Sequence, residues 1–155
     1  MGSEMCIRDR GMMGALNMHP PKRNAYAAGI TETAGGAALL LGLGTPVASA
    51  ALIGTMVTAI RKVHLANGPW AANGGWEYNA VLIAALALLA EQGPGKASVD
   101  ALRGKEHSGF LWGVGALALG AAVETAVIEA GAAAAPAPEP AAPFGETAGD
   151  PVTSD

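Results

Sequence analysis

Four side chains in this 155-residue sequence are of types that could do chemistry, and all four sit among long uncharged stretches. Glu32 is the only formal charge between Asn24 and Ile60, and Glu77 the only one between Val63 and Ala90. Arg61 lies between those stretches, and His64 at the start of the second. A carboxylate within an apolar layer must be protonated, paired or hydrated, so it marks a candidate site. A guanidinium can pair with it, and an imidazole can move a proton near neutral pH. Glu32, Arg61, His64 and Glu77 are therefore the candidate polar site. Each also has a plainer reading. Glu32 and Arg61 would form a resting ion pair that orients a helix hairpin. Glu77 would offset the dipole at a helix start. His64, next to Arg61 and Lys62, would simply be solvated. Glu124 and Glu129, near the end of the last apolar stretch, are expected to reach outward to lipid headgroups.

The elements that must hold these residues follow from composition. Hydrophobic residues make up 51% and charged residues 14%, against roughly 25% charged in an ordinary soluble domain. Ala and Gly together supply 57 of the 155 residues, and aromatics only 5%. Apolar runs cover Ala25–Leu43, Pro46–Val63, Trp76–Ala90 and Gly109–Ile128. The first two, at 1.5 Å per residue, reach about 28 and 27 Å, close to one hydrocarbon thickness. The third is short and needs its flanks in the interface to span. The pattern predicts an all-α, multi-pass transmembrane bundle with four apolar helices, placed in the cell membrane. No stretch alternates as the strands of a membrane barrel do.

The tight Gly44-Thr45-Pro46 connection makes the first two helices an antiparallel hairpin, with Pro46 in the first turn of the second. Glu32 then lies about seven residues, roughly 10 Å, inside its helix, with Arg61 about one turn nearer the surface. The 43–46 turn and the hydrophilic 91–108 loop are two spans apart, so they must share a side. Within that loop, Ser98 and Asp100 are expected to start a short surface helix. Tyr26, Trp70, Trp76 and Tyr78 suit an aromatic interface belt. Small residues at four-residue spacing (Ala34, Ala38, Gly42; Gly109, Gly113; Ala116, Gly120) suit close helix approach in lipid.

The organisation divides into five parts. Residues 1–10 change character abruptly at Gly11, and the run Glu4–Arg10 resembles a translated transposase adapter from a sequencing library. On that reading Cys6, the only cysteine, is foreign, and the native start of the chain is lost. Residues 11–24 form a polar lead-in, 25–100 the membrane domain, and 101–131 a loop with an added C-terminal transmembrane helix. The Ala/Pro-rich tail 132–155 has nothing to bury and is expected to be disordered.

Several chemistries are excluded. Net charge −4 with nine scattered basic residues argues against nucleic acid. His19, His64 and His107 fall in separate loops, without the spacing of a metal or haem site. Gly93-Pro94-Gly95-Lys96-Ala97 lacks the Gly and Ser/Thr of a phosphate loop, and Gly113-Val114-Gly115 follows no strand.

The order of motifs resembles the DoxX family of bacterial membrane proteins. The resemblance is carried by Glu32-Thr33-Ala34-Gly35-Gly36, Gly42-Leu43-Gly44-Thr45-Pro46, and Ala59-Ile60-Arg61-Lys62-Val63-His64. It continues with Asn73-Gly74-Gly75-Trp76-Glu77-Tyr78-Asn79 and Gly93-Pro94-Gly95-Lys96-Ala97-Ser98-Val99-Asp100, covering about Tyr26–Asp100. It implies a four-helix membrane bundle whose first helix precedes Glu32 and is missing here. It also implies a cytoplasmic Gly-Pro-Gly loop, and hence a tail on the outside. Basic residues do not decide the orientation, four standing on one side against three on the other. Some family members are named as subunits of a thiosulfate:quinone oxidoreductase or are linked to membrane redox complexes. Two functions stay open: a non-catalytic subunit that anchors or assembles membrane-associated redox proteins, or a quinone-linked oxidoreductase component. In the second, Glu32, Arg61 and His64 would surround a pocket, and Trp70 or Trp76 could stack on the quinone.

Overall fold

The computed structural model describes residues 11–16 and 18–135. The adapter-like run with Cys6, and the tail from residue 136, lie outside the described residues.

Proline and glycine set the helix boundaries. Helix α1 (Pro21–Leu41) begins with proline at its first position and ends at Gly42, whose φ of 59° is left-handed. The Gly42 and Leu43 N–H groups take up the Leu39 and Ala38 carbonyls, which closes the helix end. Gly44 (φ 57°) reverses the chain into α2 (Thr45–Ala59). That helix continues through a π-turn, Ile60–His64, and a 3-10 turn, Leu65–Asn67. After a further 3-10 turn, Ala71–Asn73, come α3 (Glu77–Gln92), the short α4 (Val99–Leu102) and α5 (Phe110–Ala133). Each expected apolar run is thus a helix, to within a few residues.

α2 is the central element, in contact with α1, α3 and α5. α1 and α3 run antiparallel to it. α5 runs parallel to it, so that Ala50 and Gly54 face Gly120 while Thr58 faces Glu124. A methyl group on Gly120 would stand 2.5 Å from the Ala50 carbonyl oxygen, and one on Gly113 would stand 3.0 Å from that of Ala87. Backbones therefore touch at both places, as the small-residue spacing on this helix predicted. The helix expected as an appended span is packed into the bundle. The corresponding stripe on α1 behaves differently. Ala34 is exposed, and α1 meets α2 through Gly35 against the Leu52 side chain.

The core is small, consisting of Ala50, Ile53, Ala90 and Ala116 with Val57, Ile83 and Leu86 against them. Larger apolar side chains point outward, Leu40 at 87% and Leu111 at 82% exposure among them. Among the described residues two helices are long and apolar enough to cross a bilayer, Thr45–Asn67 (23 residues) and Phe110–Ala133 (24 residues). At 1.5 Å per residue they reach about 35 Å. Only 33% and 22% of their apolar windows are buried inside the bundle, which suits a lipid surround better than water.

The expectation of four such helices is corrected to two. α1 has the length, but Glu32 and the neighbouring threonines and glycines leave it too weakly apolar, and α3 has only 16 residues.

The 42–45 turn and the 93–109 loop meet at one end of the bundle, as the two antiparallel helices between them, α2 and α3, require. The Asp100 N–H donates to the Gly42 carbonyl (3.2 Å), and the Asp100 carboxylate accepts the Gly44 N–H (2.6 Å). Ser98 does start the short helix, its hydroxyl accepting the Ala101 N–H at 3.1 Å. Asp100, however, is not a surface residue. It is 6% exposed, because its carboxylate is committed to the turn beneath it.

Candidate functional site

Among the described residues, the four singled out from sequence share no hydrogen bond or ion pair with one another. Glu32 is exposed on α1, and among the described residues no ion pair joins it to Arg61. The Arg61 guanidinium donates instead to Thr125 Oγ1 on α5, at 3.0 Å. The expected Glu32–Arg61 pair is thereby replaced by a contact across another interface. Arg61 sits in the π-turn that follows α2, and this wider turn sets its direction differently from a continued α-helix.

His64 and Glu77 serve the loop at the opposite end of the bundle from the Asp100 contact. His64 Nδ1 donates to the Gly74 carbonyl (2.6 Å), which also accepts from Asn67 Nδ2 (3.1 Å). Glu77 occupies the first turn of α3, where a carboxylate favours the helix dipole. Its Oε2 accepts the Ala71 N–H at 3.1 Å, tying α3 to the preceding 3-10 turn. The same loop is closed by Gly75, where a Cβ would lie 2.2 Å from the Gly68 carbonyl oxygen, so only glycine fits. Around this end Tyr26, Trp70 and Tyr78 are exposed, as an interface belt would be, while Trp76 is half-buried.

The polar residue with the most developed surroundings is Glu124. Sequence reasoning directed it to the headgroups. The structure turns it inward, and Thr58 on α2 donates to its Oε1. Glu124 stands nine residues before the end of α5, about 13 Å along the axis. It lines a groove of about 190 Å³ between α2 and α5, with Val47, Ala50, Ala51, Gly54, Leu119, Gly120 and Val123 as the other walls. Seven of the eight lining residues are apolar, so Glu124 is the one strongly polar group available to anything lying there. Its signal was legible: it breaks an otherwise uncharged apolar run, the same argument that selected Glu32. What the sequence lacked was the rotation of α5 about its axis. Among the described residues, no cluster of His, Cys, Asp and Glu is placed to hold a metal ion.

Residues 9–65 match the DoxX family model. The DoxX match takes in α1, α2 and the π-turn with Arg61 and His64, and it stops before Glu77, α3 and α5. It overlaps the sequence resemblance over Tyr26–Leu65, and the motifs from Asn73 to Asp100 lie beyond it. It begins two residues inside the adapter-like run. No curated protein and no solved structure matches the chain. The match and the two helices long and apolar enough to cross a bilayer both point towards a membrane protein.

Proposed function

We propose that this chain is a non-catalytic, multi-pass subunit of the cell membrane that anchors or assembles membrane-associated redox proteins. The observation that carries this reading is the divergence of its polar residues. Glu32 is exposed on α1, Arg61 is bonded to Thr125, and His64 and Glu77 organise a loop. Side chains spent on holding helices and turns together suit a scaffold. A quinone pocket built from Glu32, Arg61 and His64 would draw on all three, whereas here Arg61 is bonded to Thr125 and His64 to Gly74. The outward apolar residues of α1 and α5, including Ile30, Leu40, Leu111 and Leu119, offer a surface for lipid and for neighbouring membrane helices.

Affinity purification of the tagged protein from its own membrane in mild detergent tests the proposal. Stoichiometric co-elution of redox subunits, with no electron transfer by the isolated chain, is the expected result. An isolated chain that retains bound quinone and reduces it would overturn the scaffold reading and establish the oxidoreductase one.

A further inference from the structure

We propose that the groove between α2 and α5 binds a compact lipophilic amine, whose ammonium group pairs with the free oxygen of Glu124. This goes beyond the scaffold role and rests on separate residues. Glu124 Oε1 is engaged by Thr58. Oε2 faces Gly54, where an added methyl group would come within 3.4 Å of it and within 3.3 Å of the Gly120 carbonyl. Gly54 presents no side chain to this oxygen, and no hydrogen bond engages it among the described residues.

No cation of the chain answers this carboxylate among the described residues. Arg61, a turn further along, gives its bond to Thr125. An intramembrane carboxylate without a cation is costly, and pairing is one way to relieve it. An incoming ammonium would supply that pair, and the complex would carry no net charge into the low-dielectric layer.

The remaining walls specify the rest of the ligand. Val47, Ala50, Ala51, Leu119 and Val123 present hydrocarbon only, so the amine must carry a compact apolar body. At about 190 Å³ the space is below the usual range for drug-sized ligands, which favours a small cage or ring over a long chain. Val47, Leu119 and Val123 are 68%, 53% and 53% exposed. The groove thus opens sideways from the bundle, and a ligand already dissolved in the bilayer could enter. A lipid headgroup amine is a poor occupant, because Glu124 lies about 13 Å inside the end of α5.

The test uses the full chain in phosphatidylcholine nanodiscs, whose headgroups carry no N–H. Binding of 1-adamantanamine and of its neutral isostere 1-adamantanol is measured by calorimetry against empty nanodiscs. The amine should bind at least tenfold more tightly than the alcohol. Glu124→Gln, which can still accept from Thr58, should abolish that preference. Ala51→Phe, which fills the groove from its exposed wall and leaves Glu124 in place, should weaken the amine at least tenfold. Ala51→Phe decides the matter if Glu124→Gln fails to fold. Absence of saturable amine binding, equal binding of the two probes, or an amine affinity unchanged in Ala51→Phe would each overturn the proposal.

Discussion

The two interfaces that α2 makes with α1 and α5 differ in what touches. Against α5, backbone meets backbone at Gly120 and Ala50, and the contact carries the hydrogen bonds Thr58–Glu124 and Arg61–Thr125. Against α1, Gly35 faces the Leu52 side chain, and Glu32 of that helix stays exposed. Yet α1 is joined to α2 by a three-residue turn, whereas α5 is separated from it by α3 and a long loop. Proximity along the chain therefore does not decide which pair packs most closely. Side-chain volume at the crossing does, because in lipid the gain comes from van der Waals contact and interhelical hydrogen bonds and not from expulsion of water.

The same substitution at the two crossings gives the largest expected difference. Gly120→Ala puts a methyl group 2.5 Å from a backbone oxygen that cannot swing away. It should cost about 3 kcal/mol, the upper end of the usual overpacking range. Gly35→Ala meets only Leu52 side-chain carbons, the nearest at 3.0 Å. A rotamer change can relieve that contact, and the helix gains propensity. Reversible unfolding in mixed micelles, followed by far-UV circular dichroism, should show a loss for Gly120→Ala and a change within about 0.5 kcal/mol for Gly35→Ala. Equal effects would end the distinction between the interfaces.

Asp100→Ala should come next. It removes the acceptor for the Gly44 N–H and so loosens the end of the hairpin that faces the 93–109 loop. A hydrogen bond to a charged group contributes about 1.5–3 kcal/mol. The stability loss should be accompanied by faster protease cleavage in the 93–109 loop, and unchanged cleavage there would argue against the contact.

A smaller effect is expected within the α2–α5 interface itself. A double-mutant cycle of Thr58→Val with Glu124→Leu, which removes the acceptor, should show a coupling of about 1 kcal/mol, typical of interhelical hydrogen bonds in membranes. Additive losses would mean that Glu124 does not hold α5 to α2.

The smallest effect distinguishes the two expected partners of Arg61. Glu32→Gln and Arg61→Gln should be additive within about 0.5 kcal/mol, since the two residues share no contact. Combined with Thr125→Ala, Arg61→Gln should instead show measurable coupling. A Glu32–Arg61 coupling larger than the Arg61–Thr125 one would restore the ion pair that the sequence suggested.

Much of the architecture was legible in the residues themselves. Gly42, Gly44 and Pro46 end one helix and begin the next because glycine can adopt a positive φ and proline suits a first helical turn. The apolar runs located all four long helices, and the two helices between the 43–46 turn and the 91–108 loop were enough to place both at one end. The DoxX resemblance was also visible, in the motifs around Glu32, Gly42 and Arg61, and residues 9–65 match that family. What the sequence could not supply was rotation and pairing. Glu32 and Glu124 are both lone carboxylates in apolar helices, and nothing local says which one faces a neighbour. In so Ala-rich a chain every face of a helix is almost equally apolar, so periodicity barely distinguishes inside from outside. Only the approach of α5 to α2, permitted by Gly54 and Gly120, turns Glu124 inward to Thr58 and draws Arg61 to Thr125. Glu32, on a helix that touches α2 through Gly35, is left at the surface because among the described residues no second helix packs closely over it.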